Sequence, residues 1–147
     1  MSDYSCTSKQ ENAKISQPDP ISMSLSIPTN PFRMRAYAPG DESVINQHFN
    51  RVFNQKRPLL DWHRKFQPEQ DGCSILVAVN EDNNIIAQYA VIHSAMQMGD
   101  LKFRAGQPVD VYCLRQDGAT QRRVYSKLVT AFFDTYGNPK DLPLLYG

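Results

Sequence analysis

Residues 32 to 147 read as an α/β domain of the α+β kind, a mixed and mainly antiparallel sheet flanked by helices. Three patterns carry this reading. Apolar residues recur at helical spacing over residues 42 to 54 and again over 121 to 136. Between these stretches lies a run of strand patterns with turn residues at their joints, and LPLLYG returns to strand character after the second of them.

The elements follow in order. FRMRAYA alternates, with Phe32, Met34 and Ala36 on one face and Arg33, Arg35 and Tyr37 on the other, until PGD breaks it. Asp41 then stands as an N-cap, and Val44, Ile45, Phe49, Val52 and Phe53 share one side of the helix it opens. Pro58 starts a second, shorter helix in which Leu59, Trp62 and Phe66 align, and Pro68 ends it. CSILVAV is short, apolar and β-branched; NEDNN turns the chain, and NIIAQYAVIHS returns as the partner of a hairpin. In MQMGDLKF, Gly99-Asp100 between Met98 and Leu101 fits a tight type II′ turn, which needs glycine first. Pro108 admits a strand start or a bulge, followed by VDVYCL. The last helix, from about Gln121 to Tyr136, aligns Val124, Leu128 and Phe132 and stops at Gly137.

Residues 1 to 31 differ from the rest. MSDYSCTSKQENAKISQPDP holds too little apolar surface to offset chain entropy and is expected to be a flexible tail. Within it Ile21, Met23, Leu25 and Ile27 alternate with polar residues and proline, which is either an added edge strand or chance.

Composition narrows the function. The formal charge is +1, from 16 basic and 15 acidic side chains, so no global field draws in nucleic acid or a membrane surface, and any anion site must be local. Arg33, Arg35 and the KRPLLDWHRK segment make a basic cluster around Trp62 that reads as a solvated helix face. No run approaches the ~20 apolar residues of a membrane span, and the N-terminus lacks a charged-then-apolar leader layout. Cys6, Cys73 and Cys113 are odd in number and far apart, which suits reduced thiols in a cytoplasm. His48, His63 and His93 share no ligand spacing with them, so no metal is expected, and no phosphate-loop or dinucleotide fingerprint is present.

One segment concentrates the candidate chemistry. In AGQPVDVYCLRQDGATQRRVYSKLVTAFF a strand runs through a short polar loop into a helix, and such a junction aims unpaired N–H groups and the positive end of the helix dipole at one point. Arg115, Arg122 and Arg123 surround it.

The order of elements, with the phrases RMRAYAPGDESVINQHFNRVF, PLLDWHRKF and IIAQYAVIHSAMQMGDLKFRAGQPVDVYCL, resembles the N-terminal two-thirds of the GCN5-related N-acetyltransferase (GNAT) superfamily. It is similar in particular to a branch whose domains open on arginine-x-tyrosine-x-proline-glycine-aspartate and carry a tryptophan on the second helix. The resemblance implies a GNAT-like acyl-CoA N-acyltransferase fold, incomplete at its C-terminal end, that transfers an acetyl group from acetyl-CoA or another acyl-CoA to a small-molecule or peptide amine. It also implies that strand residues Val111, Tyr112, Cys113 and Leu114 meet the pantetheine arm, and that the loop from Arg115 to Arg123 wraps the pyrophosphate.

That loop departs from the family pattern. Gln121 and Arg123 stand where two glycines would fall, and Gly118 is the loop's one glycine. Either Gly118 supplies the turn, Thr120 caps the helix and Arg122 with Arg123 bind phosphate by charge, or these arginines are solvated residues of a helix start. An amine acceptor must lose a proton, and Asp110 and His93 are the available bases; a structural, hydrogen-bonded aspartate and a satisfied surface histidine are the alternatives. Tyr146 does not match the position of the family's tyrosine acid. Three readings stay open: an acyltransferase fragment or subunit whose sheet a second copy or partner chain completes, an inactive binding domain, and the product of a truncated gene.

Overall fold

The computed structural model describes residues 31–137 and 142–147. The expected tail, Cys6 and the alternating segment Ile21–Ile27 lie outside the described residues. The elements are β1 (Phe32–Ala36), α1 (Glu42–Val52), α2 (Leu59–Phe66), one 3-10 turn (Pro68–Gln70), β2 (Cys73–Asn80), β3 (Ile85–Met98), β4 (Leu101–Cys113), α3 (Gly118–Tyr136) and β5 (Leu144–Leu145). They form one five-stranded sheet in the order β1-β2-β3-β4-β5. The first four strands pair antiparallel, and β5 lies parallel to β4, Ala105 opposite Leu144 and Gly106 opposite Leu145.

Helices cover both faces, which is why β2 is apolar throughout and does not alternate. Ile75, Val77 and Val79 pack with Ile45 of α1 and Trp62 and Phe66 of α2. Leu76 and Ala78, pointing the other way, pack with Val124, Leu128 and Phe132 of α3. The α3 stripe is fully buried as its spacing predicts, whereas in α1 and at its end the periodic residues Val44, Val52 and Phe53 are exposed and Asn46 is buried. Asn46 takes that place because it binds the chain ahead of α2, described below.

Local signals were met in some places and replaced in others. Met98 pairs with Leu101 across Gly99-Asp100, and the positive φ falls on Gly99 (59°) and not on Asp100, as a type II′ turn requires. The two hairpins share one long strand, β3, whose last four residues are exposed. Pro108 lies inside β4, opposite Val91. The Gly106 carbonyl accepts from the Tyr146 N–H, so the polar groups of Gly106, and by alternation the nitrogen of Pro108, face the outer edge of β4. A missing N–H costs nothing there, since no described strand pairs with β4 beyond Gly106 on that side.

Asp41 is not the side-chain cap expected of it. Its own backbone is helical, and its carboxylate takes both Arg35 Nη1 (2.6 Å) and Nη2 (2.9 Å) together with the Ala38 N–H (2.9 Å). Glu42 accepts from the Gly40 N–H and from the Tyr37 hydroxyl, so strand and helix are joined through two carboxylates. Burial would raise the Asp41 pKa, but its bonds from Arg35 and Ala38 outweigh this, and the net displacement is downward.

Two outcomes are expected. A folded-state pKa below the unfolded value stabilises above about pH 4 and is lost as pH falls through the folded pKa; Asp41→Asn should therefore lower the urea midpoint at neutral pH, and the difference from wild type should close in acid. At Gly106 an added Cβ would lie 2.4 Å from Val91 Cγ1 and 2.6 Å from Leu145 Cδ2. Gly106→Ala should cost about 1–3 kcal/mol in urea denaturation, as overpacking does, by displacing β5.

Candidate functional site

Registration between β3 and β4 slips by one residue at Tyr89. Gln88 opposes Tyr112 and Ala90 opposes Val109, so Asp110 and Val111 together face one residue, a β-bulge. Asp110 has φ 50°, a left-handed conformation that aspartate tolerates better than most side chains. Three groups hold it. The Asp110 carbonyl accepts from Nε2 of Gln88, a fully buried glutamine on β3 (3.0 Å). Its carboxylate accepts from Arg57 Nη1 on Oδ2 (2.5 Å) and from Lys65 Nζ on Oδ1 (2.7 Å), with the side chain only 5% exposed.

Arg57 is positioned from α1. Asn46 and Asn50, one turn apart, both donate to its carbonyl; Asn50 Oδ1 accepts its N–H and Asn46 Oδ1 accepts from Nε at 2.7 Å. The guanidinium carbon sits 3.7 Å above the Phe49 ring. Asp110, expected as the base, thus has a cation on each oxygen and is engaged as the shared partner of Arg57 and Lys65. Gln88 escaped the sequence reading, and Arg57 and Lys65, read within KRPLLDWHRK as part of a solvated helix face, are instead turned onto a buried carboxylate, with Trp62 in the core. A glutamine inside the apolar run IIAQYAVI was the available signal for the first; the other two come from remote segments.

The bulge also reverses which amides face outward. The Leu114 N–H donates to the Ile86 carbonyl (2.8 Å), so Leu114 and Tyr112 present their polar groups to β3, and Val111 and Cys113 present theirs to the outer edge of β4. Val111, Tyr112, Cys113, Gly118, Gln121, Arg122 and Tyr125 line a cavity of about 440 Å³ where β4 leads into α3. Six of these were expected from the sequence. Tyr125 was not, although it follows Gly118, Gln121 and Arg122 at intervals that repeat one helix face.

Other expected residues are elsewhere. Leu114 turns its amide to β3, and Arg123 lies over the Phe32 ring (5.5 Å) beside Lys127, toward β1. Thr120 does not cap α3, and Gly118 supplies no left-handed turn. The helix begins at Gly118, Asp117 is its N-cap, and the Asp117 carboxylate accepts the Thr120 N–H (3.1 Å), a bond that holds its pKa down. A fixed negative charge therefore stands at the helix start where an anion would dock.

His93 is engaged away from the bulge, with Nε2 2.9 Å from Ser74 Oγ and Nδ1 2.9 Å from the Asp71 carbonyl. Burial pushes the Cys73 thiol up to about 11 and raises that of Cys113, so both stay protonated. Tyr112 is buried with no hydrogen-bond partner for its hydroxyl among the described residues, and burial with the nearby Asp110 raises its pKa. Among the described residues no cluster of ligating side chains could hold a metal, and no helix is long and apolar enough to cross a membrane.

No protein-family model matches the chain, and no curated protein matches it in sequence. Solved structures do match. An aminoglycoside acetyltransferase from an uncultured soil metagenomic sample, crystallised with sisomicin, aligns with TM-score 0.58 over 80% of this chain and 76% of its own, at 20% identity. Glucosamine-6-phosphate N-acetyltransferase from Arabidopsis thaliana gives 0.53 over 78% and 80% at 15% identity, and a predicted acetyltransferase from Clostridium acetobutylicum, solved with acetyl-CoA, gives 0.53 over 79% and 80% at 16% identity. Likeness at such identities is a likeness of fold. The chain has the mixed, mainly antiparallel α+β fold of the GCN5-related N-acetyltransferases, as its resemblance to that superfamily implied.

Removing the Asp110 carboxylate strands a guanidinium whose side chain is only 12% exposed. Asp110→Ala should cost about 3–5 kcal/mol in urea denaturation, the range for breaking a buried pair. Asp110→Asn should cost less, because asparagine tolerates the left-handed backbone and still accepts from Arg57. Equal and small losses would show that the carboxylate does not hold the bulge.

Proposed function

We propose that this protein is an acyl-CoA-dependent N-acyltransferase that moves an acetyl group from acetyl-CoA to the amine of a small molecule or peptide. The observation that carries the reading is the outward turn of the Val111 and Cys113 amides at the β4 bulge, beside a cavity that ends at the start of α3. An extended chain of alternating amides, such as pantetheine, pairs with an unpaired strand edge as another strand would. Val111 and Cys113 would hold that arm, and Arg122 would meet the phosphates. In the reaction the amine nitrogen bonds to the thioester carbonyl carbon, the C–S bond breaks, and one proton passes from nitrogen to the leaving sulfur. Asp110 acts here as a positioning residue for the bulge. Two protonated cysteines among the described residues suit a reducing cytoplasm.

A second reading, a GNAT-like domain that binds no CoA, is favoured by Asp117, whose exposed carboxylate both occupies an α3 amide and repels phosphate. One set of titrations separates the two. Acetyl-CoA should raise the melting temperature and bind measurably by calorimetry. Arg122→Ala should weaken binding about tenfold or more, the worth of one charge-assisted bond. Asp117→Asn keeps the cap and removes the charge, so it should bind more tightly, most clearly at low salt. A cooperatively folding sample in which neither wild type nor Asp117→Asn responds to millimolar acetyl-CoA would overturn the acyltransferase reading.

A further inference from the structure

We propose that the acceptor amine carries an anionic group, a phosphate or a carboxylate, and that the connection between α1 and α2 binds it; this rests on the acyltransferase reading above. The bulge has two sides. On the α3 side lies the cavity assigned to the thioester arm. On the other side a hollow of about 760 Å³ is lined by Phe49, Phe53, Lys56, Arg57, Asp61 and Lys65, among others. Two of these, Arg57 and Lys65, hold the Asp110 carboxylate, so this hollow opens against the bulge from the helix side. An amine attacking a thioester carbonyl must approach from the side that the thioester arm leaves open. On this proposal it enters through this hollow.

The charges in the hollow are unbalanced. One carboxylate, Asp110, answers both Arg57 and Lys65, and Lys56 adds a further cation with no counter-charge bonded to it among the described residues. Asp61, the acid on the rim, is shared with Arg64 at 3.4 Å in an exposed pair. Arg57 is held in place by Asn46, Asp110 and the Phe49 ring, yet its Nη2 is buried with no acceptor among the described residues. A buried guanidinium N–H without an acceptor is a rare state in folded proteins, and a phosphate or carboxylate oxygen supplies what it lacks. A neutral or polycationic amine supplies nothing to it and is repelled by the surplus charge.

Matched amines test this. Thiol release from acetyl-CoA would be measured with O-phosphoethanolamine, β-alanine, ethanolamine and putrescine, while acetyl-CoA binding is measured separately by calorimetry. The two anionic amines should show kcat/KM about tenfold or more above ethanolamine, as expected for one added charge-assisted contact, with putrescine lowest. Lys56→Ala and Lys65→Ala should raise KM for the anionic amines and shrink that ratio. If acetyl-CoA binds and ethanolamine or putrescine serves as well as the anionic amines, the inference is wrong while the acyltransferase reading stands. If acetyl-CoA does not bind, or binds and no amine is acetylated, direct titration with O-phosphoethanolamine decides: salt-sensitive binding that Lys56→Ala weakens keeps the anion site, and no binding overturns it.

Discussion

Everything at the candidate site depends on one residue held in a conformation it would not choose alone. Asp110 sits at φ 50° inside a strand, a state that costs about 1 kcal/mol or more for a residue other than glycine. It persists because Gln88 binds its carbonyl from the sheet while Arg57 and Lys65 bind its carboxylate from the helices. The same contacts do two further jobs. They tie the α1–α2 connection to β4, and they bring two cations to the place where β4 changes the direction of its amides.

That change of direction gives β4 its two uses. Up to Gly106 its outer edge pairs with β5; beyond the bulge its outward amides belong to Val111 and Cys113, with no described strand to receive them. The cavity beside these amides has Arg122 on one wall and Asp117 at the helix start above it. The site is thus favourable along the strand and mixed in charge at the helix, which differs from a backbone cradle built on glycines. In the function proposed above, side-chain charge takes the place of close backbone approach, and it carries both signs.

Both hollows flanking the bulge are shaped by how the helices pack. The α3 stripe of Val124, Leu128 and Phe132 buries completely against one face of the sheet, and this leaves Gly118, Gln121, Arg122 and Tyr125 along a neighbouring line of the helix. On the opposite face Trp62 and Phe66 anchor α2, and Lys65, adjacent in sequence to Phe66, is carried to the Asp110 carboxylate. Core packing on each face therefore sets which charged residues meet the bulge.

By itself the sequence determined the elements and their order, because periodicity, proline and the Gly99 turn act over a few residues and leave a local record. It also located the strand-to-helix junction and most of the residues around its cavity, since these lie within fifteen positions of one another. The Asp117 cap of α3 is a bond across three residues and was legible, though Thr120 was read in its place. Only the tertiary structure decided that Asp41 serves Arg35 and not the helix end, and that Arg123 turns to Phe32 while Arg122 stays at the cavity. It alone joined Gln88, Arg57 and Lys65 to Asp110 across 22, 53 and 45 positions. Partners so far apart leave no spacing to read, because what brings them together is the closing of two helical layers on a sheet, and that is a property of the packed whole.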